Sequence, residues 1–144
     1  MLPALILARR TQCAPRRLAA LSLLALWLIA SGAQGFPGAW TANAPRMTVA
    51  SSQLDQSSRP LTPPSASVEG VIERVVWRYR TAPGARLQGR LCHGQRCLRL
   101  KAAHGSTEHF AGLDAAGHFV FRFRLLDGES PLVVDGMSVI VNHR

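Results

Sequence analysis

The sequence has few acidic residues, few cysteines and no helical periodicity beyond its first 33 positions. Only 8 of its 144 residues are Asp or Glu, against 17 Lys and Arg. Acidic residues this sparse and scattered hardly support the paired carboxylates of glycoside chemistry. A phosphate-binding loop, a dinucleotide-binding fingerprint and a Gly-x-Ser-x-Gly nucleophile elbow are all missing. Composition and spacing therefore identify no reaction, and we expect no catalytic residue and no cofactor.

The first 33 residues contain an apolar run that is short for a membrane span. Four arginines precede the uncharged run 18–30, and small residues occupy positions 31–33. This order predicts a secretory signal peptide over residues 1–33, cut after Ala33 or, as the near alternative, after Gly32. A transmembrane helix needs about 20 residues, so we expect membrane contact only through the signal peptide before cleavage. An uncleaved anchor is the alternative.

Cleavage changes the net charge of the chain. Residues 34–144 keep 13 basic residues and all 8 acidic ones, which leaves a charge of +5. A moderately basic exported protein fits contact with an acidic protein surface, anionic lipid head groups or periplasmic polyanions. It has little occasion to meet nucleic acid. Solubility alone is the other explanation of this charge. The predicted location is the periplasm.

Cys92 and Cys97 are the two cysteines that follow the signal peptide. An even number of cysteines in an oxidising compartment indicates a disulfide. Facing each other across residues 93–96, the cysteines place these pairs opposite one another: Leu91 and Leu98, Arg90 and Arg99, Gly89 and Leu100. Alternation with the inward leucines puts both cysteines on the outward face of a hairpin. A bridge with about 4 Å between Cβ atoms requires the two to share a face, as they do here.

Metal binding and redox catalysis are the alternatives for these cysteines. The nearby histidines would suit zinc or copper. We expect no metal, because adjacent strand residues such as Cys92 and His93 point to opposite faces and the cysteines satisfy each other. A catalytic redox pair usually has two intervening residues at the start of a helix, whereas four residues lie between these cysteines.

Period-two alternation predicts strands over most of the remaining chain. The strand 69–81 would bury Val71, Val75, Trp77 and Tyr79, and the strand 117–126 would bury Phe119, Phe121, Phe123 and Leu125. Further strands are predicted at 46–50, around Phe110, at 132–134 and at 138–144, with a turn at Asp135-Gly136. A strand at the C-terminus stays ordered when it is paired, so we expect the last strand inside a sheet.

Six or seven short strands in about 111 mature residues predict an all-β fold. We expect a small antiparallel β-sandwich of about 6–8 strands with one hairpin disulfide, preceded by the signal peptide. Residues 34–45 are predicted to be an N-terminal arm fastened by Trp40, or else a disordered tail, and residues 46–144 a single domain. Within that domain, the Pro/Ser-rich segment 51–68 would be a surface loop, a functional flap or an extended edge element.

Arginines alternate along the outward faces of several predicted strands. If those strands neighbour one another, the arginines form one basic patch suited to bidentate contacts with carboxylates. Together with the strand of Trp77, they are the candidate partner-binding residues: Trp77, Arg78, Arg80, Arg90, Arg99, Arg122 and Arg124. The alternative is a solvated face on which the arginine stems cover aliphatic surface.

Three motifs follow one another along the chain: Trp77-Arg78-Tyr79, the segment 91–97 with its two cysteines, and Val139-Ile140-Val141-Asn142. Together they resemble the flagellar protein FlhE family, small periplasmic proteins encoded with flagellar export genes. The resemblance extends from Gly38-Ala39-Trp40 to the terminal Asn142-His143-Arg144 and keeps the motifs in order. One departure is His143, where the family's Tyr is expected. This departure puts in doubt any role of a C-terminal hydroxyl group.

The resemblance implies a non-enzymatic accessory of flagellum assembly that binds a flagellar rod or export-apparatus protein. The family is linked to flagellar type III export and swarming motility, with a chaperone-like role in limiting proton leakage or premature periplasmic filament growth. The alternative is a periplasmic β-sandwich binding module for a carbohydrate or other small ligand. Exposed rings of Trp40, Trp77 and Tyr79 would favour that module, whereas buried rings favour a protein-interaction role.

Overall fold

The computed structural model describes residues 37–144, and the regular secondary structure in this range consists of β-strands. The nine strands, in chain order, are β1 (Gly38–Ala44), β2 (Met47–Val49), β3 (Gln56–Ser57), β4 (Ile72–Arg80), β5 (Leu87–His93), β6 (Arg96–Leu100), β7 (His104–Thr107), β8 (Phe119–Leu125) and β9 (Leu132–His143). The predicted signal peptide lies outside the described residues.

The strands form two antiparallel sheets. The first sheet has the order β1-β9-β4-β7, with β2 also paired to β9, and the second has the order β3-β8-β5-β6. Cys92 and Cys97 are joined by a disulfide that bridges β5 and β6. The predicted antiparallel β-sandwich with one hairpin disulfide is therefore confirmed.

Aromatic side chains fill the space between the two sheets. Phe119, Phe121 and Phe123 alternate along β8 and are fully buried. From the opposite sheet, the ring of Tyr79 meets the ring of Phe123 with 5.0 Å between centroids, edge to face. Burying an aromatic or large aliphatic side chain stabilises a fold by about 1.5–3 kcal/mol. The inner faces thus hold the sheets together, and the outer faces look away from each other on opposite sides of the molecule.

Strand β4 changes its inward face near its start. Its register against β9 shifts between Ile72 and Arg74, which is the mark of a β-bulge. A bulge inserts one unpaired residue and so reverses the alternation of side chains. Ile72 is consequently buried, whereas Val71 is 38% exposed. The prediction that Val71 lies in the core is wrong for this reason.

The hairpin register is confirmed at every predicted pair. Strands β5 and β6 place Leu91 opposite Leu98, and Arg90 opposite Arg99. The pairing of β5 with β6 extends one residue pair further than predicted, because His93 also pairs with Arg96. The connecting turn therefore contains only two residues, and Gly94 accommodates a positive φ of 56° within it.

The last strand is longer than predicted. The expected turn at Asp135-Gly136 is wrong, because β9 runs without interruption from Leu132 to His143. A register shift against β4 falls at this point, where Gly136 has a φ of 58°. The glycine thus permits a bulge inside one strand, where the sequence indicated a turn between two. As expected of a C-terminal strand, β9 is paired, with β1 and β2 on one side and β4 on the other.

The segment predicted as an N-terminal arm forms strand β1 at the edge of the first sheet. All seven of its residues pair with β9. Trp40 is buried, and its Nε1 donates a hydrogen bond to the carbonyl oxygen of Ala115 at 3.0 Å. Trp40 does fasten this segment as expected, and the alternative of a disordered tail is wrong for Gly38–Ala44.

Part of the Pro/Ser-rich segment is an extended edge element, because β3 pairs with β8 and Leu61 bridges to Phe119.

The weak strand expected around Phe110 lies earlier in the chain, as β7 (His104–Thr107). Phe110 itself occupies a turn and is fully buried, so its apolar character reflects core packing.

Candidate partner-binding surface

Four arginines lie on the outer face of the second sheet. Arg90 is on β5, Arg99 on β6, and Arg122 and Arg124 are on β8. Because successive side chains on a strand point to opposite faces, the burial of the phenylalanines of β8 sends these arginines outward. We call Arg90, Arg99, Arg122 and Arg124 the arginine face.

Three residues of the arginine face form a row across adjacent strands. Arg90 is the direct register partner of both Arg99 and Arg122. Neighbouring strands are about 4.8 Å apart, so three guanidinium groups emerge from one face at intervals of about 5 Å. Like charges directly opposite each other on a sheet are destabilising. The row therefore costs stability unless anions compensate it.

Among the described residues, one side-chain carboxylate contacts this surface. Asp55 precedes β3, and its Oδ2 lies 3.2 Å from Nη2 of Arg90 while its Oδ1 lies 4.0 Å from Nε of Arg124. The side chain of Asp55 is 25% exposed. Arg99 and Arg122 form no ion pair with any residue of 37–144. The arginine face therefore keeps a net positive charge.

Arg78 and Arg80 lie on the outer face of the first sheet, on the opposite side of the sandwich. They belong to β4, which pairs with β7 and β9. Nε of Arg80 lies 2.8 Å from Oδ1 of Asp135. The prediction that the arginines form one patch is wrong, because β4 is not a neighbour of β5, β6 or β8. The sheet order separates the arginine face from this pair.

Trp77 is part of the core and does not lie beside the arginines. Its side chain is 8% exposed, and its Nε1 donates a hydrogen bond to the carbonyl oxygen of Ala102 at 3.2 Å. Trp40 and Tyr79 are buried as well, and this burial raises the pKa of Tyr79 above its usual value. These three residues therefore provide no exposed aromatic platform of the kind that the small-ligand module needs.

The disulfide lies on the same outer face as the arginines. Because it joins β5 to β6 two residue pairs away from Arg90 and Arg99, it holds the register that aligns the row. In the part of the chain that the structure describes, no group of three His, Cys, Asp or Glu residues could hold a metal. Across the same residues there is no helix that could cross a membrane.

Sequence reasoning missed Asp55. It lies in the Pro/Ser-rich segment, which has no periodicity, and only the pairing of Gln56 with Phe123 brings it over the arginines. One available signal was that Asp55 is the sole acidic residue of segment 34–68. Gln88 was also missed, although alternation along β5 places it on the same face. Its Oε1 accepts a hydrogen bond from Nη2 of Arg124 at 3.1 Å.

His93 is a buried titratable group beneath the hairpin. Its ring lies 4.6 Å from that of Phe119 between centroids, and its Nδ1 has no hydrogen-bond partner among residues 37–144. Burial lowers the pKa of His93 below its usual value of 6.5, because it disfavours the charged imidazolium. The backbone of His118 and the carboxylate of Asp114 oppose this effect, while the charge of His118 adds to it.

Acidification is therefore expected to destabilise the fold through His93. As the pH falls below about 6.5, the unfolded chain binds a proton at this histidine while the folded chain resists doing so. The stability that depends on neutral His93 should be fully present above that pH. It should decline as the pH falls towards the lower pKa of the folded state. Melting temperatures measured at pH 7.5 and 5.0 should fall less in His93→Gln than in the unsubstituted protein.

His104→Gln is the matched control for the pH experiment. His104 is exposed on β7, so its replacement should leave the full loss of melting temperature between the two pH values. An equal loss in all three proteins would contradict the role assigned to the burial of His93.

Comparison with known proteins reveals relatives along most of the chain. The sequence profile of the family described as Flagellar protein FlhE matches residues 47–144. Relatives described as Flagellar protein FlhE from Salmonella typhimurium (strain LT2) and Salmonella typhi are each 33% identical over 136 residues, covering 90% of this chain and 99% of theirs. A solved structure, described as Crystal Structure of FLHE, superposes with a TM-score of 0.69 at 32% identity. The match covers 75% of this chain and 97% of that one.

Proposed function

This chain belongs to the flagellar protein FlhE family, and we propose that it is a non-enzymatic periplasmic accessory of flagellum assembly. Its partner would be a flagellar rod or export-apparatus protein. Binding would act in a chaperone-like way, limiting proton leakage or premature filament growth, so that swarming proceeds normally. The signal-peptide pattern of residues 1–33 supports the periplasmic location, as does a disulfide, which persists in oxidising compartments.

The arginine face is the observation that supports docking to a partner protein. Guanidinium groups bind carboxylates in a bidentate geometry, and Arg99 and Arg122 are exposed without an ion-pair partner among residues 37–144. Their alignment with Arg90 costs stability in the isolated protein. A surface that carries such a cost is well explained by an acidic partner that removes it.

The test reverses the charge of Arg122 and Arg124. We expect Arg122→Glu/Arg124→Glu to fold, because both side chains point away from the core, but to lose swarming motility and periplasmic cross-linking to a flagellar component. The matched control is Arg78→Glu/Arg80→Glu on the opposite sheet. Each pair occupies alternate positions of one strand, and each contains one arginine that contacts an aspartate.

Two results would count against this proposal. Reversal of Arg122 and Arg124 that leaves both motility and partner capture intact would remove the arginine face as the docking surface. Loss of both properties in Arg78→Glu/Arg80→Glu, with the first variant unaffected, would place docking on the first sheet.

A further inference from the structure

We infer that the row formed by Arg99, Arg90 and Arg122 recognises carboxylates along one face of an acidic α-helix. We further infer that Asp55 occupies the middle of this row until the helix binds. Both inferences rest on the proposed function, because they take the arginine face as the docking surface. They go further by giving the partner a secondary structure, an orientation and a charge pattern.

The spacing of the row suits a helix that crosses the strands. The register places one arginine on each of three adjacent strands, so the stems are separated by about 4.8 Å. On a helix, side chains at i and i+3 or i+4 have Cβ atoms about 5–6 Å apart. Three acidic residues over two turns span about 11 Å at a rise of 1.5 Å per residue, which matches a row about 10 Å long.

An extended peptide fits the same surface poorly. Alternate side chains of a strand are about 6.6 Å apart, so a peptide lying across the row would lose register with the arginines after one step. A peptide parallel to the sheet strands would lie along a single strand, so it would not contact the row, which crosses three strands. On β5, the outward neighbours of Arg90 are Gln88 and Cys92, and within the second sheet only β8 offers two successive outward arginines.

Asp55 is positioned as an internal substitute for a partner carboxylate. It contacts Arg90, the central member of the row, with 3.2 Å between Oδ2 and Nη2. The segment that carries it lies at the edge of the second sheet, where β3 has two residues and the adjacent Leu54 is 71% exposed. Local hydrogen bonds to the Ser51 hydroxyl and the Gln56 amide maintain the turn. A helix with several carboxylates could therefore displace this single one.

The test measures binding of designed peptides to the protein purified from the periplasm. One fluorescent helical peptide carries three glutamates on a single face at i, i+4 and i+7. The second has the same composition, with its glutamates distributed around the helix. We expect the first to bind about tenfold more tightly by fluorescence anisotropy, with an affinity that declines as salt rises. Equal affinities would overturn the inference.

Substitutions then locate the binding to the row. Arg99→Gln should weaken binding of the one-face peptide about fivefold, while Arg78→Gln, on the outer face of the first sheet, should change it less than about twofold. Asp55→Asn should increase the affinity, because it removes the internal carboxylate. Equal losses in the two arginine variants would overturn the row, and an unchanged or reduced affinity in Asp55→Asn would overturn the assignment of Asp55.

An anionic lipid surface is the other source of negative charge, and the experiment distinguishes it. Vesicles of equimolar phosphatidylcholine and phosphatidylglycerol present phosphates without a fixed spacing. Binding to these vesicles that depends on Arg99 and exceeds binding of the one-face peptide would overturn the helix. Failure of the peptide test with swarming still lost in Arg122→Glu/Arg124→Glu would remove this inference alone. Normal swarming in that variant would instead contradict the proposed function.

Discussion

Replacing Phe121 by alanine is expected to lower the free energy of unfolding by about 3–5 kcal/mol. The ring is fully buried at the centre of the second sheet, stacked on Phe123 with 5.7 Å between centroids. It also meets the edge of Tyr79 from the first sheet at 6.2 Å. Its removal leaves a cavity where the two sheets contact each other. Since small domains are stable by about 5–15 kcal/mol, a large part of the stability would be lost.

Urea unfolding followed by tryptophan fluorescence measures this loss. The midpoint should fall while the slope of free energy against urea stays the same, because the surface exposed on unfolding changes little. Val133→Ala is the control, since Val133 is 48% exposed on β9, and it should change stability by less than about 0.5 kcal/mol. Similar losses in the two variants would contradict the packing described for the core.

Replacing Gly105 by alanine is expected to lower the free energy of unfolding by about 1–3 kcal/mol. A Cβ atom at this position would lie 2.5 Å from Cζ2 and 2.6 Å from Cη2 of Trp77. The indole cannot easily retreat, because it is buried and bonded to the carbonyl oxygen of Ala102. Glycine is therefore required for the edge strand β7 to pack against β4.

A double-mutant cycle identifies the contact responsible. Trp77→Phe shortens the ring system, so the loss in Gly105→Ala/Trp77→Phe should be smaller than the sum of the two single losses. Ser106→Ala is the control, because Ser106 is exposed on the same strand, and it should be nearly neutral. Additive losses would show that the cost at Gly105 arises elsewhere, for example from backbone freedom in the unfolded chain.

The core packing matters for the arginine face because it keeps the second sheet rigid. The row depends on the register of β5, β6 and β8, and that register is maintained by the disulfide on one surface and by the phenylalanine layer on the other. A core substitution should therefore disturb partner binding only when it disturbs the sheet. Variants of the arginines themselves should do the reverse, altering binding while the unfolding free energy stays nearly constant.

The fold class and several local details were predictable from the sequence. Alternation along β8 identified its buried phenylalanines, and the cysteine spacing gave the register that aligns Arg90 with Arg99. The sequence did not predict the two bulges. The bulge that buries Ile72 and the bulge at Gly136 depend on which strand lies alongside, and the pattern of one segment contains no such information. The edge strand β3 was one of the alternatives left open for the Pro/Ser-rich segment, and its pairing with β8 decided among them.

The candidate surface shows the same division between local and long-range information. Arginine at alternate positions was enough to predict that each side chain points outward, since alternation is a property of a single strand. Whether those arginines meet was decided by sheet order. β4 pairs with the distant β9, while β5 pairs with β8. Sequence by itself therefore determined the fold class, the inward face of β8 and the hairpin register. Only tertiary structure decided that Arg78 and Arg80 are separate, that Trp77 is buried and that Asp55 joins the row, because these outcomes depend on pairing between segments far apart in the chain.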